Sequence, residues 1–466
     1  MKKALTGIMV VGSILALAGC GNKPTTRTIK VAVLEEKGEK ALIDALISEY
    51  NAKNKGYKME RISFGTSETS YGFLSTFAMH PKDLPDIVWT CDTQHAGFSE
   101  GGPDAGGYFI DLRPFYESSP ETSYDKYYED MLVTTTVYGE MKSYAEDPDA
   151  RYGMWYAPRD YNQPTLFCNK SLFEKFGVAF PDPSKETWNL DTFLDLLHTI
   201  DAKIALAAED DRTAGVYRAL SGTITSEEVY TPLMKAFGGD GITKDGHFNL
   251  DSEANKAALK KFDANFYNPD SQGGAQYKYV FTKGDDGFQN GTTFMTIAAR
   301  PLIVKFADAL EAQHCDMDFL PMPYEYNSAG NSGYGIISVH AEDEVICDDG
   351  STIKVKDAAW DFIKFIITEE GQEIGSKLGS LVPVLKSLAD TGSWKQYQAD
   401  KNLHHEYFTS CDTIPLDQYN AFAPSKRLML RQIVANDVFQ VYTNPGKQSD
   451  RDEALVKARQ LFEKEI

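Results

Sequence analysis

Apolar positions in the first quarter of the chain switch between two periods. Ile29, Val31 and Val33 recur at every second residue; Ala41, Leu42, Ala45, Leu46 and Tyr50 then recur at helical spacing, and residues 57–64 return to a strand pattern after a break at Gly56. A further apolar run at 84–90 predicts another strand. This alternation predicts an α/β body with largely parallel strands covered by helices. In such sheets ligands sit beyond the carboxyl ends of strands, which singles out Glu35, Glu36 and Lys37 after the first strand and Trp89 to Asp92 after the third.

Residues 153–200 carry a different pattern. An aromatic pair, Trp155 and Tyr156, leads through Pro158 into polar residues from Arg159 to Gln163, then into an apolar strand and a helix beginning near Asn169. A second helix follows, with Leu190, Phe193, Leu194 and Leu197 at helical spacing and Thr187 as its expected N-cap. A strand that starts polar and ends apolar suits a segment leaving one globular body for the sheet of another. It is a hinge candidate. Helical stripes at Ala359, Phe362, Phe365 and Ile366, and at Ala454, Leu455, Ala458, Leu461 and Phe462, are read as core.

A chain of 466 residues exceeds one ordinary core and predicts two domains. With 47 basic and 68 acidic residues, the net charge of −21 repels polyanions and excludes a nucleic-acid partner. Residues 1–19 open with Lys2 and Lys3 and continue into an apolar run too short to span a bilayer as a mature helix, so they read as a signal peptide. The run ends in Leu17-Ala18-Gly19-Cys20, which matches the bacterial lipobox; Cys20 is the expected lipidation site and residues 20–27 a tether. Five further cysteines (Cys91, Cys168, Cys315, Cys347 and Cys411) permit at most two disulfides, and fit equally as small hydrophobes.

The 153–200 stretch resembles the family 1 extracellular solute-binding proteins, the substrate-capturing subunits of ABC importers. Tyr156, Pro158, Asn169, Lys170, Phe173, Gly177, Val178, Pro181, Thr187 and Trp188 fill the family pattern, and Cys168 stands where tyrosine is usual. Matches continue in order: Leu84-Pro85-Asp86, Gly107 to Leu112, Gly238-Gly239-Asp240 with Leu250-Asp251-Ser252, Phe288 to Gly291 with Met295 to Ile297, Leu320 to Pro323, Ala358 to Phe365 with Glu370-Gly371, and Pro383. The resemblance implies an α/β, two-lobed periplasmic-binding-protein type II fold with discontinuous domains and a hinge. Its lobes would be 28–159 with 324–382, and 160–323 with 383–466, crossing near Asp160, Pro323 and Pro383. It further implies a monomeric lipoprotein on the outer face of the bacterial cell membrane that closes on a small solute and presents it to permease subunits.

The chain lacks a Gly-x-Ser-x-Gly elbow, a phosphate loop and a Cys-x-x-Cys pair. His405-Glu406 lacks a second histidine at zinc-site spacing, and His404 and His405 are expected at the surface. The acidic runs at 285–286 and 342–344 lack the alternating oxygen ligands of a calcium loop. No cofactor, metal or catalytic residue is assigned. Sugar rings stack their C–H faces on aromatic rings while their hydroxyls need forked polar partners. Glu36, Trp89, Asp92, Trp155, Tyr156, Arg159, Asp160, Tyr161, Asn162, Gln163, Arg300, Tyr334 and Phe422 supply that mixture and form the candidate ligand-binding set. A carbohydrate, favoured as an oligosaccharide, is therefore the expected solute. A polyamine held by Glu36, Asp92 and Asp160 is the alternative of the same class, and an extracellular glycoside hydrolase the alternative among enzymes.

Overall fold

The computed structural model describes residues 28–35, 37–63, 84–91, 107–136, 142–149, 152–183, 187–210, 216–222, 226–244, 247–266, 286–415, 424–439 and 450–463. Two sheets organise them. The first runs in the order Met59–Ser63, Ile29–Val33, Ile87–Cys91, Ser332–Ile336, Ala157–Pro158. Its first three strands are parallel, as the alternating pattern predicts, and Ser332–Ile336 inserts antiparallel to both of its neighbours. Alternate side chains enter opposite faces. Val31, Val33, Ile87, Trp89, Tyr334 and Ile336 join the large core beneath the helices Lys37–Ala52 and Val355–Ile367, whereas Ala32 and Val88 join Phe109, Trp155 and Ile337 on the other side. Gly333 permits the close approach of the neighbouring strand, because a Cβ there would lie 1.9 Å from the Ala157 carbonyl oxygen.

The second sheet runs Met317–Leu320, Thr165–Asn169, Thr293–Ala298, Arg218–Ser221. Thr165–Asn169 is buried along its whole length, which is why its sequence turns apolar. Leu166, Cys168, Leu220 and Leu320 face a second core built with the helices Leu190–Asp210, Glu227–Ala236 and Glu253–Phe266. On the opposite face, Phe167 packs edge-on against Phe306, Phe319 and Phe408, with ring centroids 4.9–5.6 Å apart. Each such buried ring contributes about 1.5–3 kcal/mol by leaving water.

Local signals place the helix starts. Asn169 caps Lys170–Lys175 by accepting from the Leu172 amide at 3.3 Å. The next helix begins at Leu190 and is capped by Asn189, not by Thr187: Asn189 Oδ1 accepts from the Thr192 amide, and the Thr192 hydroxyl accepts from the Asn189 amide. Only Asn189 stands directly before the first helical residue, where its side chain reaches the amide of the third helical residue. Cys168, Cys315, Cys347 and Cys411 are free thiols, and of the five described cysteines Cys168 alone is buried.

Three runs of chain lie side by side between the sheets. Asn162 and Gly330 exchange both backbone hydrogen bonds, at 2.8 and 2.9 Å, and Asp160–Tyr161 pairs antiparallel with Val382–Pro383. The second run continues back through Tyr326–Ala329, which pairs in parallel with Asp412–Pro415. After Pro383 the chain stays against the first body: Leu385 bridges to Tyr127, and Lys386 donates to the Asp125 carbonyl at 3.1 Å. It meets the second sheet at His405–Thr409, where Phe408 joins the Phe167 cluster.

Candidate functional site

The polar residues of the first crossing are buried against partners from distant segments. Arg159 donates both terminal nitrogens to the two Glu39 carboxylate oxygens, at 2.7 and 2.5 Å, and also reaches the Ser332 and Tyr334 hydroxyls. Burial works against the cation, but the carboxylate of Glu39, with Tyr334 and Asp160, outweighs it and raises the Arg159 pKa. Asp160 accepts from the Ser332 amide at 2.6 Å, the Ser332 hydroxyl at 2.7 Å and the Asn162 side chain at 2.9 Å. Burial raises its pKa, while Arg159 and Ser332 pull the other way. Burial likewise pushes the Tyr334 hydroxyl well above its ordinary range. Glu39 belongs to the first turn of Lys37–Ala52, so this network fixes a helix start to the hinge.

The remaining candidates divide by location. Tyr156 is buried and its hydroxyl donates to Asn331, whose amide donates to the Met131 carbonyl and the Thr134 hydroxyl. Tyr161 packs at a tilt against Tyr128, ring centres 4.9 Å apart, and accepts from Gln163, which also donates to the Cys411 carbonyl. Asn162 is half-buried; among the described residues its Oδ1 and Gln163 Oε1 have no hydrogen-bond partner. Trp89 and Trp155 are 8% and 3% exposed and pack on opposite faces of the first sheet, so neither ring is an open platform in this conformation. Among the described residues their indole N–H groups likewise lack partners. Glu36, Asp92, Phe422 and Cys20 lie outside the described residues.

Arg300 stands apart from the hinge network. Its guanidinium donates to the Trp394 carbonyl at 2.5 Å and to His405 Nδ1 at 3.0 Å, with its carbon 4.8 Å from the Trp394 ring centre. Among the described residues no carboxylate pairs with it, and burial pushes its pKa down to about 9. His405 is consequently an interior residue, correcting the surface expectation: Nδ1 accepts from Arg300 while Nε2 donates to the Tyr397 carbonyl at 2.8 Å. His404 does keep an exposed side chain, paired with Asp318 at 3.0 Å. The structure thus brings Arg159, Asp160, Asn162 and Tyr334 together, and it adds Glu39, Ser332 and Asn331, which the sequence reading missed. Only the acidic first turn of the helix hinted at Glu39.

Among solved structures of similar fold is the GacH receptor of Streptomyces glaucescens, known unliganded and with acarbose: TM-score 0.63, 17% identity, covering 94% of this chain and 98% of that one. A solute-binding protein of an ABC transporter from Thermotoga lettingae, bound with α-D-tagatose, gives TM-score 0.66 at 14% identity over 94% and 100%. UgpB from Mycobacterium tuberculosis, in complex with glycerophosphocholine, gives 0.65 at 15% over 94% and 98%. The search of curated proteins finds no match. These likenesses identify the fold as the two-lobed type II periplasmic-binding-protein fold. Residues 45–402 match the family described as bacterial extracellular solute-binding protein. With that match spanning most of the chain, the protein belongs to the bacterial extracellular solute-binding proteins and is a binding protein, not an enzyme.

Proposed function

We propose that this protein is the lipid-anchored substrate-binding subunit of an ABC importer, capturing a carbohydrate between its lobes and delivering it to membrane permease subunits. The observation that carries the reading is the set of three chain runs paired side by side between two sheets, of which the second has a further core of its own. Such a hinge lets ligand select a closed arrangement by rigid-body rotation. The acarbose and tagatose complexes of the similar structures support a sugar. Glu36, Asp92, Asn162 and Phe422 are proposed to face the solute, with the buried Arg159, Asp160 and Tyr334 holding the hinge behind them. The lobes are proposed close to the bounds expected from the sequence, with two shifts: Tyr326–Ala329, paired with Asp412–Pro415 and held to Glu227–Ala236, goes with the second lobe, and the chain just after Pro383, held to Tyr127 and Asp125, goes with the first.

A thermal-shift screen of oligosaccharides, polyamines and organic phosphates tests the ligand class, since binding to the native state raises the melting temperature. A neutral sugar should bind with nearly the same affinity at low and high salt, and scattering at saturation should show a smaller radius of gyration. Steep salt dependence would replace the sugar with a charged solute. The glycerophosphocholine complex of UgpB is the specific observation favouring that second reading.

A further inference from the structure

The helix Glu129–Val133 belongs to the first lobe, where Met131 and Leu132 enter the large core. Its far end is bolted to the hinge, because Asn331 donates to the Met131 carbonyl at 3.0 Å and to the Thr134 hydroxyl at 2.6 Å. Its first turn points elsewhere. Asp130 accepts a hydrogen bond from the hydroxyl of Thr413, on the strand Asp412–Pro415. That strand belongs to the second lobe. Cys411, just before it, packs on the second core and accepts from Gln163 at its carbonyl, and Thr413 stands opposite Asn327 in the parallel pair with Tyr326–Ala329. Tyr326–Ala329 in turn is held to the helix Glu227–Ala236 by Ser328, whose hydroxyl donates to the Glu228 carbonyl at 2.8 Å.

Covalent crossings allow rotation, whereas a side-chain bond between bodies beside the rotation axis exists in one arrangement and is lost in another. We infer that the Asp130–Thr413 contact is a clasp between the lobes that sets the balance between their arrangements without either residue touching the solute. A hydrogen bond to a charged acceptor, made in one arrangement only, shifts a two-state ratio by roughly tenfold or more. This inference rests on the lobe rotation proposed above. It assigns to a residue pair outside the crossings a share in setting affinity, because a protein whose binding-competent state is scarcer binds more weakly by that fraction.

The test uses the full chain without ligand. Donor and acceptor dyes on unnatural amino acids replace Lys377 of the first lobe and Lys256 of the second, both on exposed helix faces, and single-molecule transfer reads the distance distribution. Wild type should show two distances. Thr413→Val, which keeps the shape and removes the hydroxyl, should change their ratio by roughly tenfold. Thr413→Ser should restore the wild-type ratio, and Asp130→Asn should move it in the same direction as Thr413→Val. Two distances in unchanged proportion across all variants would overturn the clasp while leaving rotation standing. A single distance that no variant moves would overturn both.

Discussion

Arg159 and Glu39 meet as a two-pronged ion pair, with side chains only 2% and 8% exposed. The pair joins the first crossing to the helix that opens the first lobe. Without Glu39 the buried Arg159 loses its two-pronged partner and keeps only the looser contact to Asp160, at 3.4 Å. Glu39→Ala should therefore cost about 3–5 kcal/mol of stability, read as a lower urea midpoint at unchanged slope. Replacing both partners by apolar residues, Glu39→Leu with Arg159→Met, should not recover that loss, because it strands the buried Asp160, whose carboxylate lies 3.4 Å from Arg159. Equal midpoints for wild type and Glu39→Ala would show that the pair contributes nothing.

His405 predicts how stability depends on pH. Burial and the neighbouring Arg300 push its pKa down to about 4, below the ordinary value of 6.5, and the donated bond from Arg300 leaves Nδ1 no room for a proton. The unfolded chain therefore binds a proton that the folded chain refuses. Stability from this group is fully present above pH 6.5 and is lost as pH falls towards 4, about 2 kcal/mol by pH 5. Unfolding curves at pH 7.5 and 5 should show that difference, and His405→Asn should flatten it. An equally steep fall in the variant would assign the dependence to other groups.

The two tryptophans should behave as core residues. Trp89→Ala and Trp155→Ala should each lose about 3–5 kcal/mol in chemical denaturation, by cavity formation on opposite faces of one sheet. If either change instead spares stability and weakens a confirmed ligand, that ring stacks on solute in another arrangement of the lobes.

Cys20 should be the mature N-terminus and carry the lipid. Cys20→Ala should leave the protein unprocessed or unanchored, detectable by fractionation, and mass spectrometry of the wild-type N-terminus should find a modified cysteine. An unmodified residue there would remove the anchor from the proposal.

The periods of the sequence were enough to read most of the fold, because a strand buried on both faces or a helix with one apolar stripe leaves its mark within a few neighbouring positions. The first three strands of the first sheet and the polar-to-apolar crossing at Asp160 were legible this way. Pair identities were not. Arg159 finds Glu39 across 120 residues and Asp160 finds Ser332 across 172, and no local pattern distinguishes such a buried ion from a solvent-facing one. The same limit put Trp89 and Trp155 among open platforms and His405 at the surface.

Ser332–Ile336 fills the gap between Ile87–Cys91 and Ala157–Pro158. Translation must therefore pass residue 336 before the first sheet can close, by which time all four strands of the second sheet already exist. Contacts of such long sequence separation form slowly. If the proposed export holds, that delay keeps the early segments threadable, so the interleaved connectivity itself favours export before folding.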